Sequence, residues 1–153
     1  MFACDEAIID GPPDVVFKAI LDEYSRVTHW WLPYSEQRQR GNLPINEEGS
    51  IVDLTIRTKR TRGTPNFSYK LTKIVKPKLI DVDISGDIAG KGEWTFESIE
   101  GKTRLKFEWD VKPRRLVYLL LSPFVDMGKF HSEVMQYGYR ALNDYLKSAA
   151  ILA

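Results

Sequence analysis

Ile51-Val52-Asp53-Leu54-Thr55-Ile56-Arg57-Thr58 sets Val52, Leu54 and Ile56 against Asp53, Thr55 and Arg57. A period of two is that of a β-strand with one face buried and one wet. The pattern then repeats down the chain. Phe67, Tyr69 and Leu71 alternate with Ser68, Lys70 and Thr72, and after Lys76-Pro77-Lys78, Ile80, Val82 and Ile84 alternate with Asp81, Asp83 and Ser85. Trp94 and Phe96 alternate with Glu93, Thr95 and Glu97, while Leu105, Phe107, Trp109 and Val111 stand opposite Arg104, Lys106, Glu108 and Asp110. Glu100-Gly101-Lys102 reads as the hairpin tip between the last two strands. Clean alternation of this kind predicts an antiparallel sheet solvated on one side, and its apolar face needs a cover.

The cover is sought at the carboxyl end. From about Asp126 to Lys147, Phe130, Val134, Tyr137, Gly138, Ala141, Leu142 and Tyr145 recur at steps of three and four, with Lys129, Glu133, Gln136, Arg140 and Asp144 elsewhere; this predicts one long amphipathic helix. At the other end, Phe2 to Ile9 reads as a strand stopped by Gly11-Pro12-Pro13-Asp14. Pro13 opens a helix of two to three turns carrying Val15, Val16, Ala19 and Ile20. Asp22-Glu23-Tyr24-Ser25 starts a second short helix toward Val27, Trp30 and Trp31, ended by Pro33. Glu36 to Ser50 reads as a loop. The expected fold class is α+β: a curved antiparallel sheet wrapped around a long C-terminal helix, with two short helices after the first strand.

The 153 residues include 22 Lys and Arg against 21 Asp and Glu. A chain of this length buries roughly 70% of its unfolded surface, enough for one domain over residues 1–153 without metal or disulfide. A net charge of +1 supplies no field that would gather nucleic acid. The basic run Arg57-Thr58-Lys59-Arg60-Thr61-Arg62-Gly63 lacks interleaved aromatics to stack bases and reads as a solvated hairpin. Cys4 has no second cysteine to pair with, and the acidic start Asp5-Glu6 does not look like an export signal; a cytoplasmic protein is expected. Leu116-Val117-Tyr118-Leu119-Leu120-Leu121, cut by Ser122-Pro123, is far short of the roughly 20 residues of a membrane span. Beside Arg114-Arg115 it has the composition of a membrane-touching segment, and the reading preferred here is that it closes one end of the interior.

The order of elements resembles the START-like helix-grip superfamily, especially its SRPBCC, or polyketide cyclase/dehydrase, branch. The likeness is carried by Gly11-Pro12-Pro13-Asp14-Val15-Val16-Phe17, Trp30-Trp31-Leu32-Pro33, Gly49-Ser50, Pro77 with Leu79-Ile80, the run from Gly86 to Phe96, Gly101 to Leu105, and Phe130 with Val134-Met135 through Gly138 to Leu142. It implies a cavity between helix and sheet that holds an apolar or aromatic molecule. It does not imply one reaction, because members include carriers, sensors and enzymes.

His29, His131 and Cys4 are too few and too scattered for a zinc site. His131-Ser132-Glu133 lacks the Pro-Cys-x-x-Cys partner of zinc deaminases, and Gly86 to Lys91 has neither the spacing nor the following helix of a phosphate loop. No metal and no cofactor is expected. The strongest signal is aromatic. Trp30, Trp31, Tyr34, Phe67, Tyr69, Trp94, Phe96, Phe107 and Trp109, with Phe130, Val134 and Gly138 on the helix, are the expected cavity wall. Core packing accounts for part of such a set, yet a sheet curled around a helix kept thin at Gly138 and Ala141 encloses room for a flat ligand. For proton transfer the candidates are His131, Tyr69 and Tyr137, with Asp126 to assist. Three functions stay open: a binder of an apolar, aromatic or lipid-like molecule; a polyketide aromatase/cyclase-type enzyme; and a membrane-touching lipid or quinone carrier.

Overall fold

The alternating runs become strands where the pattern places them, in a computed structural model that describes residues 2–32, 35–56, 66–114 and 127–152, with side chains in the last segment from 131 to 150. Strand β1 (Phe2–Ile9) leads into helix α1 (Pro13–Tyr24). Strands β2 (Ser35–Arg40), β3 (Ile51–Ile56), β4 (Asn66–Val75), β5 (Leu79–Gly86), β6 (Ile88–Ile99) and β7 (Lys102–Pro113) follow, and helix α2 (Met127–Leu152) ends the chain. The seven strands form one antiparallel sheet in the order β1-β7-β6-β5-β4-β3-β2. Glu100 (φ 49°) and Gly101 (φ 82°) form the two-residue turn between β6 and β7, both left-handed as a type I′ hairpin requires.

The sheet is curled, and the sequence contains the means. The register of β4 against β5 shifts between Leu71 and Lys73, and such bulges bend a strand. On β6, a Cβ at Gly90 would lie 1.9 Å from the Asp110 carbonyl oxygen, so glycine alone permits that approach of β6 to β7. Val52, Leu71, Ile80, Val82, Leu105 and Phe107 cover the concave face and are fully buried. Helix α1 packs its Phe17 ring on Phe96 at 5.0 Å, and α2 runs along β1. There Tyr139 donates to the Asp5 carbonyl, Gln136 to that of Glu6 and Asn143 to that of Ile8, which caps a sheet edge that would otherwise be open to pairing.

Three expectations are corrected. Among the described residues the second short helix is absent: α1 continues to Tyr24, Arg26 turns left-handed (φ 64°), residues 27–29 are irregular and residues 30–32 form a turn. The cause is Glu23, whose buried carboxylate accepts the N–H groups of Trp30 (3.2 Å) and Trp31 (2.8 Å) and the Thr28 hydroxyl (2.9 Å), bonds that compete with a helical ladder. The loop expected over 36–50 begins as strand β2, an edge strand built from polar residues in which buried Gln37 donates to buried Ser35 at 2.6 Å. The buried stripe of α2 is centred on His131, Val134, Met135, Gly138, Tyr139 and Leu142, with Tyr137, Ala141 and Tyr145 at its margin. Tyr137 sits there because its hydroxyl donates to the Leu32 carbonyl at 3.0 Å.

On the convex face, Asp81, Glu93 and Glu108 lie directly opposite one another across β5, β6 and β7, an unfavourable row of like charges. Hydrogen bonding to Asp81, burial, and the charges of Asp81 and Glu108 push the Glu93 carboxyl up to about 7 from an ordinary 4.5. A carboxyl raised on folding adds stability that is complete below its unfolded value and is lost as pH rises through its folded value. Melting temperature is therefore expected to gain a contribution between about pH 8 and about pH 5 in the wild type that Glu93→Gln lacks. Identical pH slopes for the two proteins, measured by thermal denaturation, would refute this.

Candidate functional site

The concave face and α2 do not close completely. A void of about 30 Å³ remains, and its wall includes Trp31, Phe67, Tyr69, Trp94, Trp109, His131 and Val134 from the expected set. Tyr24, Ser35, Leu54, Ile56 and Met135 also line it and were not expected. Phe96, against Phe17, and Phe107, against Trp94 at 4.6 Å, pack behind the wall. Trp30 stacks on Trp31 at 5.2 Å and 14°. Tyr34, Asp126, the Phe130 side chain, the basic run 57–63 and the segment 115–121 lie outside the described residues.

The thin waist of α2 has a different use from the one expected. A Cβ on Gly138 would stand 2.3 Å from Cε2 of Trp31, so the space above the glycine is occupied by that indole. The missing side chain also leaves the Val134 carbonyl open to the Trp31 Nε1–H, at 3.1 Å. Trp94 Nε1 donates in turn to the buried Tyr24 hydroxyl at 2.7 Å, and burial pushes both the Tyr24 and Tyr69 phenols up, so both stay protonated.

A buried carboxylate–imidazole pair joins β1 to α2, and its His131 member lines the void. His131 Nδ1 and Asp5 Oδ2 are 2.6 Å apart, with side chains 4% and 8% exposed. Burial pushes the Asp5 carboxyl up, but hydrogen bonds with His131 and Ser132 outweigh it and leave the group below its ordinary value. Asp5 is therefore an ionised acceptor, and the imidazole donates from Nδ1. The ring is wedged between Trp109, at 4.1 Å, and Phe107, at 5.7 Å. Its Nε2 is buried with no partner, as is Nε1 of Trp109. Tyr137, a candidate for proton transfer, is held at Leu32, away from this wall. Asp5 was missed although its signal was present: Ala3, Asp5, Ala7 and Ile9 share the inward parity of β1, so an acid among them calls for a buried partner.

A larger hollow of about 310 Å³ lies on the convex face, lined by Asp81, Asp83, Glu93, Glu108, Asp110 and Lys91 among others. It is open, with Phe2, Val82 and Trp109 among the charged side chains. Among the described residues no three His, Cys, Asp or Glu side chains come together in a way that would hold a metal ion, and no helix is long and apolar enough to cross a membrane.

A curled antiparallel sheet closed over its hollow by one long C-terminal helix is the START-like helix-grip fold. The chain belongs to the polyketide cyclase/dehydrase and lipid transport family, whose sequence profile matches residues 4–150. The fold is similar to a conserved protein from Geobacillus kaustophilus (TM-score 0.74, 13% identity, 97% of each chain covered). It is also similar to TTHA0849 from Thermus thermophilus (TM-score 0.72, 13% identity, 97% of this chain and 99% of that one). Ara h 8.0201 is a third likeness (TM-score 0.69, 16% identity, 97% and 98% covered). At such identities these are likenesses of fold. The sequence matches no curated protein.

A buried hydrogen bond to a charged group contributes about 1.5–3 kcal/mol, and removing one partner leaves the other unmet. Asp5→Ala and His131→Ala are each expected to lose stability of that order, while Asp5→Ala/His131→Ala loses clearly less than the two single losses combined. Urea unfolding of the single and double variants measures the coupling. Additive losses would show that the two groups do not act as a pair.

Proposed function

We propose that the protein binds a small apolar molecule between the curled sheet and α2. The observation that carries this reading is the pair of unpartnered buried nitrogens, His131 Nε2 and Trp109 Nε1, on side chains that line a void otherwise walled mainly by rings and aliphatic groups. Each unmet buried polar group costs about 1–3 kcal/mol. Two at one void are a poor solution for a core and a good one for a site whose partner arrives from outside. Membership of a family described by polyketide cyclisation, dehydration and lipid transport supports the same general reading.

The ligand enters a space that must widen to take it. Cavities that admit benzene measure about 150 Å³, whereas one water needs about 10–15 Å³, so a void of about 30 Å³ has room for water and not for a ring. The wall best suited to yield is Trp31, which is held to α2 by a single indole hydrogen bond over a glycine. Binding is thus coupled to a shift of Trp31 away from Gly138.

The test is a titration of the labelled protein with a panel of small aromatic molecules, followed by NMR at the Trp31 and Trp109 indole N–H groups and the Met135 methyl. Saturable shifts at all three, with one molecule bound per chain, are expected. Interior resonances that stay fixed across the panel, together with native mass spectrometry showing nothing co-purified, would overturn the reading in favour of a water-filled core.

A further inference from the structure

We propose that His131, oriented by Asp5 and paired with Trp109, selects among apolar molecules those that carry a hydroxyl group. The proposal rests on the binding function above and adds the chemistry of the ligand's polar end.

A neutral imidazole carries one N–H, and the Asp5 carboxylate claims it: Nδ1 lies 2.6 Å from Oδ2, and an ionised carboxylate only accepts. Nε2 is left as a lone-pair acceptor. The ring cannot easily turn to exchange the two nitrogens, since Trp109 and Phe107 pack on it at 4.1 and 5.7 Å and turning would break the bond to Asp5. The Trp109 indole is the complement, for its N–H donates only and is buried without a partner. The other two indoles at the wall are occupied, Trp31 with the Val134 carbonyl and Trp94 with Tyr24.

An acceptor and a donor on neighbouring rings, tilted against each other by 33°, match a group that both donates and accepts, and a hydroxyl is the smallest that does so. It gives its proton to Nε2 and takes the indole N–H on its oxygen. A hydrocarbon satisfies neither nitrogen, and an ether or ketone leaves Nε2 unmet. A carboxylate meets the imidazole lone pair with another. Asp5 acts as a positioning residue, because it fixes which nitrogen faces the ligand without touching it.

Phenol and toluene test this, being nearly the same shape with hydroxyl exchanged for methyl. Phenol is expected to bind about tenfold tighter than toluene, the effect of one net hydrogen bond, although toluene is the more hydrophobic. Nitrogen NMR of the imidazole, in the free wild-type protein near neutral pH, should show the proton on Nδ1, with Nε2 shifting on addition of phenol and staying still with toluene. His131→Phe, which keeps the stacked ring, should abolish the preference; if that variant does not fold, the wild-type measurements decide alone. Equal binding of phenol and toluene overturns the hydroxyl preference and leaves apolar binding standing. A proton on Nε2, or an Nε2 signal unmoved by saturating phenol, overturns it as well. Binding of neither compound overturns both readings.

Discussion

The carboxylate of Glu23 is the constraint from which the interior is built. It is 2% exposed, and burial pushes its carboxyl up against the partial offset of its hydrogen bonds. It accepts two backbone N–H groups and a hydroxyl within eight residues of its own position. Charge-assisted bonds of this kind are among the stronger ones available to a chain, and here they fold residues 27–32 back over the end of α1. That return carries Trp31 into the hollow of the sheet, where Gly138 receives it and the Val134 carbonyl holds it. Helix α2 meets the indole there, while its bonds to β1 are made separately. An apolar residue at position 23 would leave the loop without its organiser.

The aromatic rings around the void form one connected layer: Trp31 meets Trp94 at 6.3 Å, Trp94 meets Phe107, Tyr69 meets Phe107 at 6.0 Å and Phe67 meets Trp109 at 6.4 Å. Tilted and edge contacts of this kind add favourable energy beyond burial. A layer so continuous explains why the void is small. It also makes the two unmet nitrogens informative, since the same layer satisfies the indoles of Trp31 and Trp94. Trp30 Nε1 and Asp81 Oδ1 are also buried without a partner, but neither residue lines the void; two unmet nitrogens on neighbouring rings of its wall are where a functional demand is expected to show.

The parts of the fold legible in the sequence are those written in a single period. Strands β3 to β7 announce themselves because one face of each is apolar and the other wet, and α2 because its stripe runs over several turns. What stayed hidden was written in polar residues. Strand β2 reads Ser-Glu-Gln-Arg-Gln-Arg, and its inward residues Ser35 and Gln37 satisfy each other, so no hydrophobic period marks it. The turns after α1 look helical by spacing, and only the three bonds to Glu23 exclude a helix. Seven of the expected site residues reach the void wall, because parity on a strand places most of them. Asp5 was passed over because an isolated acid on a short strand has no pattern of its own; its meaning depends on His131, 126 positions away.

Helix α2 therefore serves two ends at once. Its outer bonds, from Gln136, Tyr139 and Asn143 to the carbonyls of β1, are made with the sheet edge and do not involve the void. Its inner contacts, Gly138 under Trp31 and His131 beside Trp109, reach the space a ligand would occupy. Because these two sets lie on adjacent faces of one helix, the grip on β1 can persist while Trp31 gives way, and the hollow can widen without loss of the sheet's edge cover. The Asp5–His131 bond belongs to both sets, tying strand to helix while aiming one nitrogen inward. A ligand held there would be fastened to the part of the structure that stays in place, opposite the part that moves.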